Sequence, residues 1–445
     1  MDFELFSSYL DKGQFTDFIN EINKMNPIDA AEFLETLDNT RLLKAFRLLK
    51  KDLASEIFAN LDTEQQEAIV MSITDTEITK LFDELYIDDA VDLLEELPAS
   101  IVNRIIRLST PHTREEINRF LKYPTDSAGS VMTSEFISIH EEMSVSDATE
   151  KIRSVGYDKE TVNVIYVTDS TRILVGVIEL KDLLFSSSNT KIKDIMETSV
   201  IFTSTLDDRE SVASLIAKYD LLVLPVVDSE QRLVGIVTVD DALDVIEEET
   251  TEDIEIMAAI SPTDKPYMKT GVFETFKKRI PWLLVLLVSA TFTGSIITYY
   301  EDALGAAVAL TAFIPMLMDS GGNAGAQSSV TIIRGLSLGE ISMRDILRII
   351  WKEFRVSLLC GIVMTVVIFL KCLYIDRVSF AIASVVSLTL LVTIILAKIV
   401  GCSMPILAKA LKLDPAVMAS PFITTTVDAL SLLIYFRIAS LILKI

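Results

Sequence analysis

Five long apolar stretches in the C-terminal part of the chain constrain its fold more than any other feature. They cover about 280–300, 303–333, 351–373, 378–397 and 416–443. Each stretch is long enough to cross the hydrocarbon core of a bilayer as a helix. We therefore predict a multidomain α-helical membrane protein in which residues 271–445 form five transmembrane helices.

Charge separates this region from the rest. Residues 271–445 carry 10 acids and 15 bases, whereas residues 1–270 carry 54 acids and 25 bases. An acidic surface argues against nucleic acid as a partner and favours multivalent cations or simple solubility. Basic residues cluster before the first stretch and between the second and third. The positive-inside rule therefore places the N-terminal domains in the cytoplasm and the C-terminus outside, in a multi-pass protein of the cell membrane.

Asp428 lies inside the last apolar stretch. A carboxylate there costs at least a few kcal/mol, so it needs a compensating role. One helix face, about 80° wide, holds five polar residues: Ser420, Thr424, Asp428, Ser431 and Tyr435. This face is typical of the lining of a cation path. The alternative is a structural ion pair between Asp428 and Lys398.

The second stretch contains the sequence PMLMDSGGNAGAQ at 315–327. Pro315 and the glycines predict a kinked or unwound helix, which membranes tolerate only where protein or water satisfies the backbone. Asp319 and Asn323 are then candidate gate or vestibule groups, lining the path. A helix break with end-capping is the alternative.

Residues 1–128 contain an internal repeat. The sequences AAEFLETL, ASEIFANL and ITKLFDEL recur every 24 residues from Ala30, and AVDLLEEL begins at Ala90. Helix-plus-turn units of about 12 residues predict a helical superhelix as the N domain, with a plain bundle as the alternative.

Residues 129–190 and 191–246 form a tandem duplication, because Asp169, Gly176 and Asp182 match Asp228, Gly235 and Asp241. Strand, turn, strand and helix in each copy resemble a pair of cystathionine-β-synthase-type (CBS) domains. The resemblance implies an adenine nucleotide, such as ATP, as a cofactor at Thr238 and Asp241. The first copy has Glu179 in place of the hydroxyl residue.

A long helix is predicted over Asp240–Ile260, and residues 247–270 are assigned to the connecting helix and linker. Its stripe of carboxylates comprises Asp241, Asp244, Glu248, Glu252 and Glu255. Hydrated Mg²⁺ or Ca²⁺ could bridge such a face to the acidic N domain. A solvated acidic face is the alternative.

The motifs PMLMDSGGNAGAQ, DDALDVIEEETTEDI and PFITTTVDALSLLIYF, in this domain order, resemble the MgtE family of magnesium channels. The resemblance implies a homodimer with its ion path on the two-fold axis and Asp428 as the Mg²⁺-binding pore carboxylate. It further implies regulatory Mg²⁺ ligands, which are Asp241, Asp244, Glu249, Glu252 and Asp253, with Asp88, Asp89 and Asp92 as N-domain counterparts.

The function expected from this resemblance is Mg²⁺ import, closed when cytosolic Mg²⁺ binds between the N, CBS and connecting-helix surfaces. The alternatives are a transporter for other divalent cations such as Co²⁺ or Mn²⁺, a proton-coupled transporter, and a nucleotide-regulated membrane sensor. An enzyme is not expected, since the sequence has no nucleophile–His pair, Walker loop or dinucleotide fingerprint.

Overall fold

The computed structural model describes residues 3–263, 267–268, 270–301 and 308–444, apart from the side chains of residues 52, 96, 158 and 420. The described chain divides into two compact units, Met1–Ile246 and Glu247–Ile445. Its largely helical architecture agrees with the predicted fold class. The two units are described separately below.

Ten short helices open the first unit. They are α1 (Phe3–Lys12), α2 (Phe15–Ile22), α3 (Pro27–Glu35), α4 (Asn39–Phe46), α5 (Lys51–Ala59), α6 (Thr63–Ser72), α7 (Asp75–Phe82), α8 (Ile87–Glu96), α9 (Ala99–Leu108) and α10 (Pro111–Phe120). From α3 onward, each helix begins 24 residues before the next helix but one, and alternate helices pack together, α3 on α5, α5 on α7 and α7 on α9. The predicted repeat and its 12-residue unit are confirmed.

Turn chemistry keeps these helices short. Asn26 accepts a hydrogen bond from the Ile28 amide and is followed by a proline at the first helical position. Thr74 and Glu77 form a capping box at the start of α7. Such caps satisfy the amides that a helix start leaves unpaired. The inner helix faces bury aromatic rings, among them Phe33, Phe58 and Phe82.

Two small α/β modules follow. The first contains β1 (Ser138–His140), α11 (Val145–Val155), β2 (Val164–Thr168), β3 (Leu174–Glu179) and α12 (Leu180–Phe185), and the second contains β4 (Thr203–Ser204), α13 (Arg209–Tyr219), β5 (Val223–Val227), β6 (Leu233–Thr238) and α14 (Val239–Met257). Each sheet has a parallel first pair and an antiparallel second pair. The predicted duplication is therefore also structural.

The glycines of the duplication are needed for close packing. A Cβ at Gly176 would lie 2.7 Å from the sulfur of Met196, and one at Gly235 would lie 2.5 Å from that of Met132. Both distances are well inside van der Waals contact. The segment that opens each module therefore crosses onto the glycine of the other module's sheet.

In its described residues, the second unit contains the C-terminal part of α14 and five further α-helices. These are α15 (Val272–Tyr299), α16 (Ile314–Ser337), α17 (Ile346–Tyr374), α18 (Phe380–Ala410) and α19 (Ser420–Leu443). Among the described residues, four helical segments are long and apolar enough to cross a membrane, and they contain α15, α17, α18 and α19. Since α16 is not in that set, the count of five spans stays a prediction.

The glycine-rich segment of α16 is not unwound. The helix runs without a break from Ile314 to Ser337, so the predicted unwinding or break is wrong. Pro315 lies in the first turn, where its missing N–H has no helical partner to lose. The glycines allow close helix packing instead: a Cβ at Gly321 would lie 2.9 Å from Val427, and one at Gly325 would lie 2.7 Å from Ile423.

The five helices alternate in direction within this unit. The pairs that meet along them are Trp282 with Phe422, Tyr300 with Phe436, Gly321 with Val427, Gly325 with Ile423, Gly321 with Thr393, Gly325 with Gly401, Gly361 with Leu391 and Glu353 with Lys398. From these pairs, α15, α17 and α19 run one way and α16 and α18 run the other.

Candidate functional site

Asp428 lies on α19, beside the glycine face of α16. Its side chain is half-buried, and Asp319 on α16 is the charged group that acts on it. The contact between the two helices is close because α16 has glycines opposite Thr424 and Val427. The structure therefore brings together the two carboxylates that the sequence assigned to the ion path.

The polar residues on these helices divide into two groups. Asp319, Asn323 and Gln327, spaced by four residues on α16, are exposed in the single chain. By contrast, Ser431 and Tyr435 on α19 are buried. The hydroxyl of Ser431 donates to the Val427 carbonyl, at 2.6 Å, and that of Tyr435 donates to the Leu310 carbonyl, at 2.9 Å.

Thr424 is half-buried and donates to the carbonyl of Pro421, at 3.0 Å. The side chain of Ser420 lies outside the described part of the chain. The path-lining roles of the α19 hydroxyl residues stay predictions.

Lys398 has a different partner from the one considered in the sequence. Its ammonium lies 3.9 Å from the carboxylate of Glu353 on α17 and donates to the hydroxyl of Ser328 on α16, at 3.3 Å. The structure therefore does not pair Lys398 with Asp428. The alternative in which Asp428 forms a structural ion pair with Lys398 is therefore wrong.

A second group of carboxylates lies in the first unit. Asp88 and Asp89 occupy the first turn of α8, and the charge of Asp241, in the first turn of α14, acts on both of them. Glu135, in the loop before β1, and Glu160, in the loop before β2, complete this acidic cluster. The cluster joins residues that are far apart in sequence, and Glu135 and Glu160 were missed because no periodicity or motif marks them.

Burial and like charge raise the pKa values in the acidic cluster. Burial, followed by the charge of Asp241, raises the pKa of Asp89 to about 6, and the same two causes raise that of Glu160 to about 7. The pKa of Asp88 is raised well above its ordinary value, chiefly by burial, and one of its carboxylate oxygens is buried without a hydrogen-bond partner. Such a group favours a bound cation, which would lower all of these pKa values.

No three of the described His, Cys, Asp and Glu side chains converge closely enough to hold a metal ion directly. The carboxylates of the acidic cluster influence one another's pKa values, but they are farther apart than the ligands of a directly coordinated ion. Mg²⁺ dehydrates reluctantly and commonly keeps several waters, so a hydrated ion could bridge groups at that spacing. The residues therefore fit a hydrated cation better than a bare one.

Thr238 and Asp241 contact each other at the start of α14. The Thr238 hydroxyl donates to the Asp241 carboxylate at 2.5 Å, and the Thr238 amide donates to the same oxygen at 3.4 Å. This hydrogen bonding caps the helix. Farther along the two acidic helices, Asp92 and Asp244 are exposed.

Asp253 belongs to the second unit. Its carboxylate accepts a hydrogen bond of 3.2 Å from Ser337 at the end of α16, while burial and the charge of Asp414 raise its pKa. Glu249 and Glu252 lie on the same helix and are half-buried. The connecting helix thus contributes a carboxylate at the end of α16.

Family profiles match most of the chain in the predicted order. The MgtE intracellular N domain matches residues 25–126, the CBS domain matches 128–189 and 192–248, and MgtE, described as a divalent cation transporter, matches 314–438. The profiles cover α3 to α10, the two α/β modules and most of α16 to α19.

Characterised relatives match over nearly the whole length. The chain is 36% identical over 428 residues to the magnesium transporter MgtE of Bacillus subtilis, covering 96% of this chain and 94% of the relative. It is 35% identical over 427 residues to the magnesium transporter MgtE of Thermus thermophilus, covering 95% and 94%.

Solved structures match the first unit. The soluble part of a magnesium transporter aligns with a TM-score of 0.53 and 32% identity, covering 56% of this chain and 97% of that one. The cytosolic domain of the Mg²⁺ channel MgtE in complex with ATP aligns with a TM-score of 0.52 and 35% identity, covering 54% and 98%. From its helical repeat to its glycine-packed membrane helices, this chain belongs to the MgtE family of magnesium transporters.

Proposed function

We propose that this chain carries Mg²⁺ across the cell membrane along a polar surface formed by α16 and α19. Magnesium transport is the activity of its family, and the names of its relatives give no support to the proton-coupled or sensor alternatives. The observation that carries the proposal is the half-buried Asp428 near the charge of Asp319, which shares an exposed face of α16 with Asn323. Polar groups at membrane depth are costly against lipid and mark ion paths.

The path needs a second copy of the chain. The polar face of Asp319, Asn323 and Gln327 is exposed in one protomer, and lipid cannot satisfy it. A homodimer in which two such faces meet across a two-fold axis encloses a water-filled path lined by both copies. The two Asp428 carboxylates would then repel each other unless a cation lies between them.

The hydration of the ion determines which cation such a site prefers. Mg²⁺ holds its water shell tightly, so a site that binds the hydrated ion through carboxylates avoids the cost of stripping water. The two carboxylates on each protomer, Asp428 and Asp319, supply charge for this outer-sphere binding. An ion recognised only after dehydration would gain less there.

Cytosolic Mg²⁺ would close the path through the acidic residues outside the membrane. In the first unit the ion would bridge the acidic cluster, which joins Asp88, Asp89 and Asp241 with Glu135 and Glu160. In the second unit Asp253 couples the connecting helix to α16 through Ser337. Mg²⁺ shifts the equilibrium between the open and closed states to the extent that it binds the closed state more tightly. Asp92, Asp244, Glu249 and Glu252 extend this regulatory set.

The orientation follows from charge and helix direction. The basic residues before α15 and after α16 favour the cytoplasmic side by the positive-inside rule. Because α15 and α19 run in the same direction and the helices alternate, five crossings would put the C-terminus outside. The N domain and the CBS modules would then be cytoplasmic.

An adenine nucleotide is the proposed cofactor of the CBS modules. One related cytosolic domain was solved in complex with ATP. In this chain Thr238 ends β6 and Asp241 lies in the first turn of α14, and their mutual hydrogen bond would rearrange so that both contact ribose and phosphate. We propose that the nucleotide tunes the Mg²⁺ response of the acidic cluster nearby.

The transport proposal is tested by Mg²⁺ flux into liposomes containing the purified protein. Asp428→Asn keeps the shape of the side chain and removes its charge, so flux should be abolished. Asp376→Asn is a matched control, because Asp376 forms an exposed ion pair with Lys371 beyond the end of α17. Normal flux through the Asp428→Asn protein would rule out the assignment of this carboxylate to the path.

A further inference from the structure

Three helices of the second unit are joined at one point by buried polar side chains. Ser328 on α16 donates to Glu353 on α17, at 2.6 Å, and accepts from Lys398 on α18, at 3.3 Å. Ser328 is 2% exposed and Lys398 is 5% exposed. Burying two opposite charges in this way costs much of their hydration, and the cost is offset only when the geometry and hydrogen bonds are good.

This Ser328–Glu353–Lys398 triad lies beside a close approach of the α16 and α18 backbones. A Cβ at Gly401 on α18 would lie 2.2 Å from the Gly325 carbonyl oxygen on α16. Gly325 and Gly401 are each three residues from a member of the triad. The glycine contact sets the spacing of α16 and α18, and the triad adds a directional contact that fixes how each helix is rotated.

The triad lies on the opposite side of α16 from the ion path. Ser328 follows Asp319 by nine residues, which is about 180° around the helix. A rotation of α16 that breaks the triad would therefore move Asp319 and Asn323 relative to Asp428. The opposite charges of Glu353 and Lys398 cancel, so the triad has no net charge. We therefore expect it to act on the ion path by orienting α16 and not by an electrostatic effect on the ion.

We propose that the Ser328–Glu353–Lys398 triad positions α16, and with it the polar surface that Mg²⁺ follows. The inference rests on the transport function proposed above. Glu353 and Lys398 are positioning residues, because they do not lie on the exposed polar face and act through the orientation of α16.

The test is a double-mutant cycle on Mg²⁺ flux in proteoliposomes. Glu353→Gln and Lys398→Met each leave one buried charge unpaired and should lower the maximal flux about tenfold, as small misplacements of reacting groups do. The double variant, Glu353→Gln with Lys398→Met, has no unpaired charge and should return to within about twofold of the wild type. The same cycle on the exposed pair Lys371 and Asp376, at the end of α17, should show no coupling.

Two measurements separate positioning from folding and from a direct charge effect. The ratio of Mg²⁺ to Mn²⁺ flux does not depend on the folded fraction, so it should change in both single variants and return in the double variant. Ser328→Ala keeps both charges and should change the ratio in the same direction by a smaller factor.

Opposite effects of the two single variants on the KM for Mg²⁺ would indicate a direct field on the ion and overturn the proposal. An unchanged flux ratio in all variants would also overturn it. A wild-type protein without flux would instead refute the transport function itself.

Discussion

The carboxylate of Asp253 accepts a hydrogen bond from the hydroxyl of Ser337, which joins the connecting helix to the end of α16. Next to it, Ile256 and Met257 pack against Ile333 and against the segment that leads into α19. Burial and the charge of Asp414 both raise the pKa of Asp253. A carboxylate held near a second one in this way is a place where a cation would strengthen the contact.

Asp253→Asn should therefore weaken closure by cytosolic Mg²⁺. The amide can still accept the hydrogen bond from Ser337 but cannot attract a cation. We expect the Mg²⁺ concentration for half-maximal closure to rise about tenfold, within the usual range of coupling energies. The measurement is flux at a series of Mg²⁺ concentrations on the cytosolic side.

Ser337→Ala is the matched control for this carboxylate. It removes the hydrogen bond to Asp253 and keeps the negative charge, so the midpoint of closure should move much less. Equal shifts in the two variants would mean that the hydrogen bond, rather than a bound cation, holds the connecting helix.

The acidic cluster predicts a pH dependence of stability in the absence of divalent cations. The pKa of Glu160 is about 7 and that of Asp89 is about 6, both raised above the unfolded values by burial and by nearby acids. A carboxyl with a raised pKa favours the folded state while it is protonated. This contribution is present at low pH and is lost as the pH rises through about 6 to 7.

Thermal unfolding with a chelator present should therefore show a lower Tm at pH 8 than at pH 6. Added Mg²⁺ should restore the Tm at pH 8, because the ion replaces the proton as the neutralising charge. Glu160→Gln should flatten the pH dependence, whereas Glu150→Gln, at an exposed position on α11, should leave it unchanged. A Tm that rises between pH 6 and 8 without Mg²⁺ would contradict the role given to the acidic cluster.

Nucleotide binding at the CBS modules should depend on the Thr238 hydroxyl. Thr238→Ala removes a hydroxyl that donates to a charged carboxylate, so we expect ATP affinity to fall about tenfold and the unfolding free energy to fall by about 1 kcal/mol. Thr238→Ser keeps the hydroxyl and should retain ATP affinity. Calorimetric titration of the full-length protein measures both variants, and unchanged affinity in Thr238→Ala would exclude this site.

Local patterns predict the helices and modules of this chain, but not which distant groups meet. The 24-residue repeat is predictable since each unit carries its own turn signals, such as the capping box at Thr74. The equivalence of Gly176 and Gly235 is predictable, because each copy of the duplication needs a glycine where a methionine packs against its sheet. In contrast, the acidic cluster joins α8, α14 and two loops, and nothing local to Glu135 or Glu160 marks them as its members.

The glycine-rich part of α16 shows the limit of propensity arguments. Glycine weakens an isolated helix by about 1 kcal/mol per residue, which is why a break was expected. In this bundle the same glycines admit Ile423 and Val427 of α19, so packing compensates for the propensity. The partner of Lys398 was likewise beyond prediction, because Glu353 lies 45 residues away on another helix.

The contact between Gly325 and Gly401 predicts that an added methyl group at Gly401 cannot be accommodated. The Cβ of Gly401→Ala would lie 2.2 Å from a backbone carbonyl oxygen, which no side-chain rotation can relieve. We expect α16 and α18 to separate, with a loss of about 1–3 kcal/mol in unfolding free energy and a reduced flux, because the path-lining face of α16 moves with it. Gly294→Ala on α15 meets nothing within 4 Å and is the matched control. Thermal unfolding and flux of the two variants provide the comparison, and a Gly401→Ala protein with wild-type stability and flux would show that α16 and α18 are not in contact at this point.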